Sequence, residues 1–148
     1  MNWNAIYGQY SNDVYLVVAS FKVYLDFGPN DLKVDIFQDK NGSYFAEANY
    51  DLLLSGNSAP YSFGQSGSGI EDCLSRTLSA ITSQIPTPNS YPKECIFWIK
   101  NNNNKCYIID GNKKVVPLNE FNKRLMECKK NKSNKSNYNN KSSKDNSE

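Results

Sequence analysis

The sequence predicts an α+β domain: a three-stranded antiparallel meander, an amphipathic helix, a second β-hairpin region and a short C-terminal helix, then a disordered tail. Three observations predict it. From Val14 to Leu54 the chain is rich in β-branched and aromatic residues and is interrupted by two turn signals. From Ile70 to Ile85 the apolar period changes to that of a helix. From Lys129 onward Lys, Asn and Ser dominate, and such a segment buries too little to offset its ordering entropy.

Val14–Phe27 (VYLVVASFKVYLDF) has apolar residues in both alternating sets and predicts a long strand covered on both faces. Gly28-Pro29-Asn30-Asp31 is a turn signal. Leu32–Gln38 follows as a strand with Leu32, Val34 and Ile36 on one face and Lys33 and Asp35 on the other. Asp39-Lys40-Asn41-Gly42 marks a hairpin, and Tyr44–Leu54 returns as the third strand. Ser55–Gly69 is a loop of Ser, Gly, Asn and Pro, broken by Tyr61 and Phe63. Ser68 and Glu71 then form an S-x-x-E capping box for a helix whose stripe is Ile70, Cys73, Leu74, Thr77, Leu78, Ile81 and Ile85, ended by Pro86.

Thr87–Pro92 is a proline-punctuated link. Cys95–Ile99 and Cys106–Ile109 are short strands flanking Asn101–Asn104, and Asp110-Gly111 offers another tight hairpin before Lys113–Val116. Leu118, Phe121, Leu125 and Met126 have helical spacing and predict a helix from about Asn119 to about Cys128. The domain is thus expected over residues 1–128 and the tail over 129–148. The sequence leaves open which edge of the meander the second hairpin joins. Unpaired edges of the meander and the hairpin make a homodimer a possible assembly.

The net charge of +2 hides an asymmetry. Residues 1–128 hold 11 Lys and Arg against 13 Asp and Glu, whereas the tail holds six Lys against Asp145 and Glu148. A mildly acidic domain with only Arg76 and Arg124 has no footprint for tight duplex nucleic-acid binding. No stretch approaches the roughly 20 apolar residues that span a membrane, so none is expected there. Without a basic and apolar leader at Met1-Asn2-Trp3-Asn4, the four cysteines are expected as free thiols and the protein as cytoplasmic.

Histidine is absent, which removes Ser-His and Cys-His nucleophile pairs and imidazole bases. Cys73, Cys95, Cys106 and Cys128 contain no C-x₂-C pair, so neither a metal nor another cofactor is expected, and the thiols are read as core fillers. Asp26, Asp31, Asp35 and Asp39 fall at turns, on a polar strand face and at a hairpin tip, and are expected on solvated surface rather than converging for catalysis. No catalytic residue is assigned and no enzyme activity is expected. The loop before the helix is the first candidate for contact. Its small residues expose backbone N–H groups beside a helix N-terminus, and Tyr61 and Phe63 are placed to stack on a base, with Ser66 and Ser68 as polar contacts.

Leu32–Gln38, Asn41-Gly42-Ser43-Tyr44-Phe45-Ala46-Glu47 and Ser68-Gly69-Ile70-Glu71-Asp72-Cys73-Leu74 together resemble the HicB-type antitoxin domain, a partial ribonuclease-H-like β-β-β-α unit, over residues 32–85. That resemblance implies a regulatory module of a toxin–antitoxin pair. Size, aromatic richness and an Asn-, Lys-, Ile- and Tyr-heavy composition also suit small phage or mobile-element counter-defence proteins. The functional expectation is therefore a non-enzymatic binding or inhibitory protein, acting on a host protein or sequestering a nucleotide-type signal, with the antitoxin as the alternative.

Overall fold

A computed structural model describes residues 15–54, 57, 59–85, 92–102 and 105–130, and the fold over them is α+β. Two antiparallel sheets carry it. In the first, β1 (Leu16–Lys22), β2 (Lys33–Gln38), β3 (Tyr44–Ala48) and β5 (Gln65–Gly67) lie in the order β1-β2-β3-β5. In the second, β4 (Asp51–Leu54), β6 (Ile96–Asn102) and β7 (Lys105–Asp110) lie in the order β4-β6-β7. Helix α1 spans Ile70–Gln84, and a second helix, α2, covers residues 118–130.

The meander forms as its alternation dictates. Leu32, Val34 and Ile36 are fully buried, and Asp35 pairs across the outer face with Ser20 and Glu47. β1 is shorter than expected and is not covered on both faces. Its burial alternates, with a register shift between Val17 and Ala19 that turns Ala19 and Phe21 inward while Val17, Ser20 and Lys22 stay exposed. The expected start at Val14 lies outside the described residues.

At the Asp39–Ser43 turn the Asp39 side chain accepts from the amides of Asn41 and Ser43, and Gly42 takes φ +80°. Together with the Gly42 N–H bond to the Asp39 carbonyl, this is a three-residue turn with glycine in the left-handed position.

The expected third strand, Tyr44–Leu54, is two strands in two sheets. Asn49 divides it. Its side chain accepts from Lys33 N–H and donates to the Asp31 carbonyl, which ends the first ladder. Beyond it β4 pairs with β6, so the second hairpin joins the far half of this strand rather than an edge of the meander. Inward alternation continues through the break: Ala46 and Ala48 face one core region, and Tyr50, Leu52 and Leu54 face the next.

Helix α1 covers both regions. Cys73, Ile70 and Leu74 pack on Val34, Ile36 and Ala46; Ala80, Ile81 and Ile85 pack with Leu32, Leu52, Phe63 and Trp98. The expected Ser68–Glu71 capping box does not form. Gly69 is the N-cap without a side-chain bond, and it is Asp72 that accepts from the Ser68 N–H and hydroxyl. The opposite face of the second sheet presents Leu53, Phe97 and Ile108 to α2, where Phe121 meets Phe97 edge-on at 5.0 Å.

Val115 makes only an isolated bridge to Ile109, so Lys113–Val116 is not a full strand. α2 continues through Lys130, past the expected domain boundary at 128; the remaining tail, 131–148, lies outside the described residues. Cys95 and Cys128 form a disulfide that ties α2 to the start of β6, which corrects the expectation of four free thiols; Cys73 and Cys106 are free. Two cysteines 33 positions apart carry no short-spacing signal, and only tertiary structure brings them together. The thiol argument for a cytoplasmic location loses its premise with this bond. No helix among the described residues is long and apolar enough to cross a membrane.

Candidate functional site

The four loop residues expected to make contact are not gathered on one surface. Phe63 is 1 % exposed, with its ring 5.1 Å from Tyr61 and 6.2 Å from Trp98. It is a core residue, which overrules its expected role as a stacking platform. Tyr61 is half-buried and exchanges backbone hydrogen bonds with Leu52 along the edge of β4. Ser66 is exposed on β5, opposite Phe45 of β3 in the first sheet, and Ser68 is exposed at the helix N-terminus. The anion-binding role expected there meets a further obstacle: the Ser68 amide is already donated to Asp72 at 2.9 Å. This bond and the Arg76 pair hold the Asp72 carboxyl below its usual range, so the positive end of α1 is occupied by the protein's own negative charge.

The residues that do converge lie where the two sheets meet. A cleft of about 230 Å³ is lined by Asp31, Tyr50, Lys100, Asn102, Tyr107, Ile109 and Val115. Each element contributes for a local reason. Asp31 ends the Gly28–Asp31 turn, and Tyr50 follows the Asn49 break. Lys100 and Tyr107 are cross-strand partners in the half of the β6–β7 hairpin nearer its turn, on the same face as the Trp98–Ile109 pair that joins the core. Val115 leans on Ile109 through its isolated bridge.

The turn bearing Asp31 is fastened to the second sheet. Trp98 Nε1 donates to the Phe27 carbonyl at 2.8 Å, and Lys113 Nζ donates to the carbonyls of Leu25 and Gly28 at 2.8 and 2.6 Å. Lys113 itself sits at φ 66°, a left-handed conformation that costs a non-glycine residue free energy.

Within the cleft, the hydroxyl of buried Tyr50 donates to Asp31 Oδ1 at 2.6 Å. Lys100 Nζ lies 3.4 Å from Asp31 Oδ2 and 5.5 Å from the centre of the Tyr50 ring. The Tyr50 hydrogen bond is the main reason the Asp31 carboxyl falls below its usual range, assisted by Lys100. Burial, followed by the bond to Asp31, drives the Tyr50 phenol far above its ordinary value of 10. Asp31 is therefore ionised and Tyr50 protonated at neutral pH. The rim is apolar and open, with Tyr107 46 % and Val115 72 % exposed.

Of the other expected carboxylates, Asp35 accepts from Ser20 and pairs with Lys33 on the outer face of the first sheet, and Asp39 holds its turn. Among the described residues no three His, Cys, Asp or Glu side chains come together as metal ligands. A second cleft of about 280 Å³ lies beside the disulfide, but its one arginine, Arg124, is committed to Asp110 and Glu120.

Sequence reasoning placed Asp31 on solvated surface and gave no role to Tyr50, Lys100 or Tyr107. A usable signal was present in Lys100, the first charge after the apolar run Cys95–Ile99, since such a position marks where a buried strand emerges. Compared with protein-family models, curated proteins and solved structures, the chain matches none.

Proposed function

We propose that this is a non-enzymatic binding protein that engages a protein partner through the Asp31–Tyr50–Lys100–Tyr107 cleft, in the manner of the small inhibitory proteins that phages and mobile elements encode. The observation that carries the reading is the cleft itself. It has a fixed polar base, an apolar wall and an exposed aromatic rim, the make-up of a pocket that receives one anchoring side chain. Its volume is below the roughly 300–1,000 Å³ usual for whole small-molecule ligands, which favours a single inserted side chain. The alternative of a sequestered nucleotide loses support, because Phe63 is in the core and the α1 N-terminus is occupied by Asp72.

The test is affinity capture from the encoding host with the wild-type chain and with Tyr107→Ala and Val115→Asp. One stoichiometric partner held by the wild type and lost from both variants supports the reading. A partner retained by both moves the interface elsewhere.

A second reading, a HicB-like antitoxin module, is favoured by one observation: β1-β2-β3 form a consecutive antiparallel sheet with α1 packed on its inner face. It predicts a toxin encoded alongside and co-purifying with this chain.

A further inference from the structure

Resting on the proposal that the cleft receives a partner's side chain, we infer that this side chain is cationic with an apolar stem, an arginine or lysine, and that it displaces Lys100 from Asp31. The two charges at the cleft base differ in how firmly they are held. The Asp31 carboxylate is fixed by the hydroxyl of buried Tyr50 at 2.6 Å, and its backbone is held by the Asn49 side chain at 2.8 Å. Its turn is pinned to the second sheet through Phe27, Leu25 and Gly28.

Lys100 is held far less firmly. Its ammonium stands at the long distance of 3.4 Å on a flexible four-carbon stem, in a pair whose Asp31 side chain is 60 % exposed. Such partly exposed pairs contribute little and exchange readily. The durable feature is therefore a negative charge beside the Tyr50 ring, and Lys100 already shows that a cation is accommodated over that ring.

The walls suit the rest of such a side chain. Tyr107, Ile109 and Val115 offer apolar surface along which a methylene stem can lie, and the Tyr107 ring is open enough for a guanidinium to stack on it. An incoming carboxylate would instead meet the Asp31 charge that Tyr50 holds in place, with Lys100 as the one cation of the lining to attract it.

The experiment titrates the isotopically labelled full chain with N-acetyl-arginine amide, N-acetyl-norleucine amide and N-acetyl-glutamate amide, following backbone amide shifts. The expected result is saturable shifts around Asp31, Tyr50 and Tyr107 with the arginine probe, at a millimolar dissociation constant suited to one isolated anchor. Asp31→Asn should abolish them, and Lys100→Met, which removes the resident cation, should tighten binding several-fold. Cleft shifts that favour the glutamate or norleucine probe, or weaker arginine binding in Lys100→Met, overturn the cation preference and leave the cleft standing. Failure of all three probes to shift cleft amides overturns the cleft as well.

Discussion

Asp110 is 1 % exposed and carries a carboxylate into the protein, which demands full satisfaction of its oxygens. One oxygen accepts from the amides of Asn112 and Lys114, and the other from Arg124 Nη1 at 2.7 Å. Arg124 is raised above its ordinary value chiefly by that bond and then by Glu120, so it remains a cation throughout. Asp110→Ala should lower stability by about 2–3 kcal/mol, because it leaves two backbone amides and Arg124 Nη1 without their acceptor, Glu120 alone then holding the guanidinium; urea unfolding measures it. Phe63→Ala should cost about 3–5 kcal/mol by the same measurement, the signature of a core aromatic rather than a ligand contact. Tyr50 makes a prediction about pH. Its folded value lies above 10, so the proton it retains in the fold stabilises fully below about pH 10 and less as alkali ionises the unfolded chain. Tyr50→Phe should flatten that alkaline decline in the urea midpoint.

At the scale of elements, most of the fold was legible wherever one face is buried. Leu32, Val34 and Ile36 alternate with polar residues, and the helix stripe from Ile70 to Ile85 matches the side of α1 that packs. The division of Tyr44–Leu54 was missed because alternation keeps its phase across Asn49. The signal was nevertheless there: Leu52-Leu53-Leu54 are aliphatic at consecutive positions, so both faces of that half must be covered, whereas Glu47 marks a solvated outer face in Tyr44–Ala48. What covers the second face, α2, arrives some 70 positions later and is invisible to local pattern. The Asp110-Gly111 turn was legible as a hairpin signal, but a close approach is what requires glycine there. A Cβ on Gly111 would sit 2.5 Å from the Lys93 carbonyl oxygen, which accepts from the Gly111 N–H. Gly111→Ala should therefore destabilise by about 1–3 kcal/mol, and thermal unfolding would report it. The edges of the second sheet are blunted at both ends, by Tyr61 against Leu52 and by Val115 against Ile109. Among the described residues this leaves β1 as the long free edge, and any self-association by strand pairing would run along it.

For the molecule as a whole, the Cys95–Cys128 bond spans 33 positions and fastens the last helix to the sheet it covers. Loop-closure reasoning gives it about 3–4 kcal/mol, so reduction, or Cys95→Ala with Cys128→Ala, should lower the urea midpoint by that equivalent. The cleft was the least legible part of the protein. It is assembled from a turn, a strand break and a hairpin end, and no local pattern joins Asp31 to Lys100 across 69 positions. The seam on which it sits has a mechanical meaning. The two sheets are sewn together there by one ribbon through Asn49 and by the Lys113 staple. An occupant gripping Asp31 and Tyr107 at once would act as a rivet, and protons exchanging slowly at Val34 in one sheet and Trp98 in the other should slow together when it is seated.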